Sequence, residues 1–217
     1  MKKVVVFDCG VGGELFADYL EEELSVIDVI RVIDWRNAPY NAKSAVEICA
    51  LSEAAVRPYI GRVDVIVLAN FEATMWALAK LQTKYPEQCF VGMNLRFLLR
   101  DQVAKRVLVL TTGTVSGSKM FREARWKMWR KRMTIKKCED WAKLIDEGEM
   151  DAGKIEAELR EYKEKKFDTV WLGCTHFRDV KPNIRKVCRN WKIEDGFRAT
   201  FEDVYTALGW DVVRRKH

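Results

Sequence analysis

Short apolar runs alternate along the chain with longer segments in which apolar positions recur three or four residues apart. The runs are rich in valine and isoleucine and end in polar residues or glycine, which is typical of buried strands. The runs that we interpret as strands are 4–7, 29–33, 65–68, 90–93, 107–110, 134–137 and 169–172.

The longer segments between these runs have the spacing of amphipathic helices. Strands that alternate with helices predict an α/β fold with parallel sheets and right-handed crossovers. The segments that we interpret as helices are 13–24, 42–59, 73–85, 117–132, 139–147, 151–164, 179–189 and 198–208.

The strand pattern occurs twice. Segment 4–10 resembles 107–113, because each is an apolar strand that ends in a polar turn containing glycine. Segment 64–70 resembles 168–174, and it follows its partner strand at nearly the same separation in both halves. We therefore predict two similar subdomains, related by a pseudo-two-fold repeat, with parallel sheets flanked by helices and an active-site cleft between them.

The turns after the repeated strands carry most of the candidate chemistry. Open parallel sheets bind ligands at the carboxyl ends of their strands, so these turns are expected to meet in the cleft. In the register of the repeat, Asn70 corresponds to Cys174. The side chains expected in the cleft are Asp8, Cys9, Asn70, Thr111, Thr112, Thr114, Cys174, Thr175 and His176.

The length of the chain and its cysteines limit the class of protein to which it can belong. The chain has 217 residues and six cysteines, and none of these forms a Cys-x-x-Cys pair. With two histidines, the zinc-ligand spacings are absent, so no metal is expected. The apolar run after Met1 is too short for a signal peptide, and no run approaches the length of a membrane span. The expected location is the cytoplasm, with no membrane partner.

The net charge of +6 is concentrated in segment 119–137, where basic residues alternate with tryptophans. Such a pattern occurs in nucleic-acid-binding proteins. A solvated helix face explains it as well, with Met120, Phe121, Ala124 and Met128 turned inward. Because no nucleic-acid-binding motif accompanies the charge, we favour the solvated face and expect no nucleic-acid partner.

Segment 172–176, which reads Leu-Gly-Cys-Thr-His, is the strongest chemical motif. It places a thiol, a hydroxyl and an imidazole directly after a strand. A helix N-terminus and a neighbouring imidazolium both lower a thiol pKa and so favour the reactive thiolate. A buried structural cysteine beside a surface histidine is the alternative, and we favour the reactive Cys174.

The glycine turn at 10–13 follows the first strand and opens a helix. A dinucleotide fingerprint would need glycine at position 15, which is Leu15, and no phosphate-loop lysine follows. The turn can be a simple strand–helix connection. Its glycines would also let a ligand approach Asp8 and Cys9 closely.

Five segments together resemble the glutamate racemase family, within the wider aspartate/glutamate racemase superfamily. Segment 7–13 resembles its Phe-Asp-Ser-Gly-Val-Gly-Gly motif, and the stretch from Asp34 to Ser44 resembles its Asp…Pro-Tyr-Gly-x-Lys-Ser motif. Segment 111–115 resembles its Thr-x-x-Thr turn, the stretch from Cys138 to Gly148 resembles a segment with a glutamate at the position of Asp146, and segment 172–176 matches its second cysteine motif in full.

The resemblance implies an isomerase that needs no cofactor. In the family, a thiolate removes the α-proton of an amino acid and a second cysteine returns a proton to the opposite face. It implies that Cys174 is the second-half thiol, that His176 assists it, and that Asp8 orients the amine and tunes the first-half base. The residues that it places around the substrate are Tyr40, Asn41, Asn70, Thr112, Thr114 and Thr175, with Asp146 and Glu72 behind them.

The first-half motif departs from the family. The family has Ala-Cys-Asn-Thr-Ala-Ser where segment 69–74 reads Ala-Asn-Phe-Glu-Ala-Thr, so Asn70 replaces the first catalytic cysteine. Asparagine cannot transfer protons at neutral pH, and Glu72 would repel an anionic substrate unless it is protonated or turned away. Cys9, which stands where the family has serine, is either a replacement for the missing thiol or an inert substitute.

Three functions remain open from the sequence. The first is a two-thiol amino-acid racemase that uses Cys9 and Cys174, acting on glutamate or a related acid. The second is a single-cysteine decarboxylase or lyase of the same superfamily, and the third is a non-catalytic protein that binds a small amino acid or carboxylate. If the chain racemises glutamate, the resemblance implies a supply of D-glutamate for peptidoglycan.

The resemblance also implies how the chain divides. We expect a first subdomain of about 1–91, rejoined by 191–217, and a second of about 92–190. Homodimers are common in the family, and a homodimer is compatible with this sequence.

Overall fold

The fold contains two four-stranded parallel sheets, described here from a computed structural model that covers residues 1–93, 105–128 and 130–210. The strand order is β2-β1-β3-β4 in the first sheet and β6-β5-β7-β8 in the second, so both halves have the same topology. The predicted fold class is confirmed. The strands are β1 Lys2–Asp8, β2 Ile27–Ile33, β3 Val65–Leu68, β4 Cys89–Gly92, β5 Arg106–Thr111, β6 Arg132–Lys137, β7 Thr169–Gly173 and β8 Lys192–Glu194.

Helices cover both sheets, which explains why the central strands are apolar on both faces. The α-helices are α1 Val11–Glu23, α2 Ala45–Val56, α3 Phe71–Trp76, α4 Leu78–Lys84, α5 Gly113–Ser116, α6 Lys119–Lys127, α7 Trp141–Asp146, α8 Ala152–Lys163, α9 Lys181–Val187 and α10 Phe197–Ala207. Short 3-10 turns occupy Trp35–Asn37, Tyr40–Ala42, Arg57–Tyr59 and Thr175–Arg178.

Several predicted helix boundaries were wrong for local reasons. The predicted helix 42–59 begins later, because Ser44 and Glu47 form a capping box that starts α2. The predicted helix 117–132 is shorter, because Ser118 caps α6 at its start, α6 ends at Lys127, and by Arg132 the chain is already in β6. Within that segment, residue 129 lies outside the described residues.

Strand β8 was not predicted, and it extends the second sheet by pairing with β7. After β8 the chain returns to the first half, where α10 packs against α1, β3 and β4. The subdomain boundaries stay a prediction, and their segments 94–104 and 211–217 lie outside the described residues.

One shared apolar core joins the two halves. Trp171 on β7 makes an edge contact with Phe71 of α3, with ring centroids 6.0 Å apart, and stacks on Phe121 of α6 at 5.8 Å. All three rings are buried. Because Phe71 comes from the first half and Trp171 from the second, this packing fixes how the two sets of strand ends face each other. Within the described part of the chain, no helix is both long enough and apolar enough to cross a membrane.

Candidate functional site

Asp8 lies at the end of β1 and connects the two halves. Its Oδ1 accepts hydrogen bonds from the Cys9 backbone N–H at 2.6 Å and from Asn70 Nδ2 at 2.7 Å. Its Oδ2 accepts one from Thr175 Oγ1 of the second half at 2.9 Å. Burial raises the pKa of Asp8, although His176 and these donors act in the opposite direction.

A chain of contacts runs from the second-half thiol across the cleft. Cys174 Sγ lies 3.5 Å from His176 Nδ1, and His176 Nε2 lies 3.2 Å from Asp146 Oδ2. The other carboxylate oxygen of Asp146 accepts a hydrogen bond from the Val11 backbone N–H at 3.0 Å. The first turn of α1 therefore holds Asp146, which in turn orients the imidazole beside the sulfur.

This arrangement favours an imidazolium next to a sulfur. Burial alone would lower the pKa of His176, but Cys174, Asp146 and Asp8 outweigh burial and raise the pKa well above its usual value. Burial raises the pKa of Cys174, and His176 acts against that increase. His176 thus offsets part of the cost of burying a thiolate at Cys174, as an imidazolium does beside a cysteine base.

Cys9 has a different environment from Cys174. Its sulfur accepts a hydrogen bond from Asn70 Nδ2 at 3.4 Å, and its side chain packs with Phe7 and Tyr40 in the first-half core. Burial, with the carboxyl groups of Asp8 and Glu72, raises the Cys9 pKa well above its usual value. Cys9 is therefore a protonated thiol at neutral pH.

Asn70 holds the first-half turn together. Its Oδ1 accepts a hydrogen bond from the Ala73 backbone N–H at 2.8 Å and so caps α3, while its amide nitrogen donates to Asp8 and Cys9. The side chain is almost fully buried. Asn70 thus serves both as a helix cap and as a hydrogen-bond donor to Asp8 and Cys9.

Three residues predicted to line the substrate form their hydrogen bonds outside this inner cluster. The Tyr40 hydroxyl donates to Asp34 Oδ2 at 2.8 Å, so it is directed toward Asp34. Thr114 Oγ1 donates to the Asn41 carbonyl at 2.9 Å, and Asn41 Nδ2 donates to the Glu139 carbonyl at 2.8 Å. The two bonds of Asn41 join the two halves at the edge of the cleft.

Two residues of the site were missed from the sequence. A Cβ atom on Gly10 would overlap His176 Nε2 and lie 2.6 Å from Asp146 Oδ2, so only glycine leaves room for that pair. Glu139 Oε2 accepts a hydrogen bond from the Gly113 backbone N–H at 3.1 Å. The glycine turn was noticed for its flexibility, whereas nothing in the sequence around Glu139 indicated its position.

Replacing Asp146 by asparagine tests whether His176 acts in its protonated form. The substitution removes a carboxylate that raises the pKa of His176, so the imidazole should lose its proton at a lower pH. We expect the alkaline limb of the activity profile to move to lower pH, with a rate about 10-fold lower at neutral pH. A pH–rate profile measures this, and an unchanged alkaline limb would refute the role of Asp146.

Among the described residues, no group of three or more His, Cys, Asp or Glu side chains is arranged to hold a metal ion. The hydrogen bonds of the inner cluster join carboxyl, thiol, hydroxyl, amide and imidazole groups directly. The chemistry that these groups offer is proton transfer.

Comparisons with known proteins agree with the motifs. No protein-family model matches the chain. Glutamate racemase from Sulfurovum sp. is 28% identical over 198 residues, covering 86% of this chain and 75% of the relative. Glutamate racemase from Aquifex aeolicus is 28% identical over 205 residues, covering 91% of this chain and 80% of the relative.

The fold agrees as well. The structure of Escherichia coli glutamate racemase in complex with L-glutamate and the activator UDP-MurNAc-Ala matches all of this chain and 85% of its own, with a TM-score of 0.86 and 23% identity. The predicted resemblance is thereby confirmed in both sequence and architecture. The chain is similar in sequence to glutamate racemases over most of its length and shares their fold.

Proposed function

We propose that the chain transfers a proton at the α-carbon of glutamate or a related amino acid without a cofactor, with Cys174 as the base. The observation that carries this proposal is the Cys174–His176–Asp146 series of contacts, in which a buried imidazole faces the sulfur. The many glutamate racemases among the relatives support a reaction of this type.

The proton balance of the step is simple. The Cys174 thiolate takes the α-proton and becomes a thiol, leaving a carbanion on the substrate. The Cys9 thiol gives its proton to the opposite face of that carbon and becomes a thiolate. Exchange with solvent then restores both sulfurs. The environments fit these roles, since Cys174 faces His176 whereas Cys9 lies beside Asp8 and Glu72.

Asp8 is the proposed partner of the substrate amine. Two of its hydrogen bonds fall on Oδ1, whereas Oδ2 accepts only the one from Thr175 among the described residues. Oδ2 therefore has a lone pair for an ammonium group. An ammonium bound there would also offset the cost of burying the Asp8 charge.

Replacing Cys9 by serine separates the two thiols. In deuterated solvent the variant should invert the substrate about 100-fold more slowly than the wild type, because the general acid on one face is gone. Cys174 can still remove and return a proton on its own face, so deuterium should continue to enter one enantiomer. Chiral separation coupled to mass spectrometry measures both quantities.

The matched control is Cys188→Ser, because Cys188 is equally buried but lies in the second-half core outside the site. The Cys188→Ser variant should racemise the substrate at the wild-type rate. Inversion that is unchanged in Cys9→Ser would contradict the two-thiol mechanism.

A single-thiol reaction is the second candidate, and the position of Asn70 favours it. Asn70 occupies the place of the first-half thiol and donates to Cys9, so of the two sulfurs in the site only Cys174 lies beside an imidazole. A decarboxylase or lyase would release carbon dioxide or cleave a bond at the α-carbon and depend on Cys174 alone. Carbon dioxide release from a malonate-type acid, unchanged in Cys9→Ser, would identify this reaction.

A further inference from the structure

Glu72 is a buried carboxyl group at the meeting point of the two halves. It lies in the first turn of α3, and its Oε1 accepts a hydrogen bond from Thr112 Oγ1 of the second half at 2.8 Å. Among the described residues, Thr112 is the only residue besides Glu72 itself that forms a hydrogen bond to this carboxyl group. A carboxylate can accept about four hydrogen bonds, so the group retains acceptor capacity.

Within the described ranges Glu72 forms no ion pair with lysine or arginine. The charged groups that act on it include Asp8, which raises its pKa, and His176, which lowers it. Burial, opposed by the Thr112 bond, raises the pKa of Glu72, and the nearby Asp8 carboxyl adds to the increase. The structure thus keeps an acidic group in a place where burial makes it costly, which is typical of a functional residue.

As a result, the hydroxyl proton of Thr112 is already used in a hydrogen bond. Its single proton goes to Glu72, and its oxygen accepts from the Val115 backbone N–H at 3.3 Å as the cap of α5. Thr112 therefore has no proton left to donate to a substrate carboxylate. At this point the site offers a ligand an acceptor instead of a donor.

A carboxylate and a carboxamide have nearly the same shape, but a carboxylate only accepts hydrogen bonds whereas the nitrogen of a carboxamide donates them. A carboxylate would bring a second negative charge beside an ionised Glu72, whereas a primary amide carries no charge and brings two N–H donors. We propose that Glu72 is the specificity-determining residue of the site, and that it selects a monoamide of a dicarboxylic amino acid over the free dicarboxylate. This inference rests on the proposed function, because it concerns the substrate of the same cleft.

Binding of three matched probes tests the inference. Glutamate, glutamine and isoglutamine (the α-amide) differ only in which carboxylate is an amide, and isothermal titration of the full chain gives the affinity of each. At least one monoamide should bind at least about 10-fold more tightly than glutamate. The monoamide that binds more tightly identifies which end of the ligand faces Glu72.

Glu72→Gln is the decisive variant, because the glutamine amide can donate to a carboxylate. The preference for the monoamide should fall at least about 10-fold, with glutamate gaining affinity. Burying a neutral amide costs less than burying a charge, so the variant should melt no lower than the wild type. Glu87→Gln, an equal change of charge at an exposed position, should leave the preference unchanged.

The failures of the two proposals are distinguishable. Glutamate that binds as tightly as both monoamides, a preference that survives Glu72→Gln, or no binding of any probe would overturn the role of Glu72. A preference that depends on Glu72, without α-proton exchange from any probe, would uphold this inference and overturn the proton transfer. Exchange of the glutamate α-proton without a Glu72-dependent preference for a monoamide would uphold the proton transfer and overturn this inference.

Discussion

Cys174→Ala should lower the rate of α-deuterium incorporation at least about 1,000-fold, within the range that general acid–base groups contribute. The sulfur is the base in the proposed reaction, and alanine leaves no group that can take the proton. His176 is a poor substitute for it, because Asp146 still holds the imidazole Nε2 and, together with Asp8, raises the pKa of His176 in the variant. Mass spectrometry of substrate recovered from deuterated buffer measures the rate.

The control for this variant is Cys188→Ala. Both cysteines are buried, and burial raises the pKa of Cys188 to about 11, so that residue is an inert thiol. Cys188→Ala should exchange at the wild-type rate even if its melting temperature falls. Exchange that persists in folded Cys174→Ala would show that another group removes the proton.

Gly10→Ala is expected to have an effect of similar size without touching a reacting group. Its Cβ would occupy the space of His176 Nε2 and of the Asp146 carboxylate. The imidazole is almost fully buried and cannot move aside freely, so the contact between His176 and Asp146 must break. We expect a rate loss of about 1,000-fold, comparable to removing a general acid–base pair.

Gly153→Ala provides the comparison, because Gly153 lies exposed in α8 and alanine is a better helix former there. That variant should be fully active. A steady-state rate and a circular dichroism spectrum for both variants separate a local effect from unfolding. Full activity in folded Gly10→Ala would mean that the His176–Asp146 contact does not matter for the reaction.

The sheets were predictable because their central strands are buried on both faces. Strands β1, β3, β5 and β7 appear as unbroken apolar runs, and their order in the chain repeats. The three-residue strand β8 has only Ile193 as an apolar residue, so its pattern is too short to distinguish from a loop. Pairing with β7, which is a tertiary effect, makes it a strand.

The location of the site could be predicted because the carboxyl ends of parallel strands lie at the same edge of a sheet. This rule places Asp8, Asn70 and Cys174 close together, and the structure links Asp8 by hydrogen bonds to Asn70 and to Thr175. Contacts between the halves could not be predicted, because they depend on how two separate sheets are oriented. The Glu72–Thr112 bond and the approach of Asp146 to the Val11 amide are of this kind.

The most direct test of the account is the isotope content of each enantiomer when the wild-type protein acts in deuterated buffer. A single enantiomer of glutamate, glutamine and isoglutamine is supplied in turn, and early product is separated by chirality. The account predicts a deuteron at the α-carbon of the inverted enantiomer for at least one of the three substrates. Inversion with the original proton retained, or the absence of deuterium from the α-carbon of all three, would contradict it.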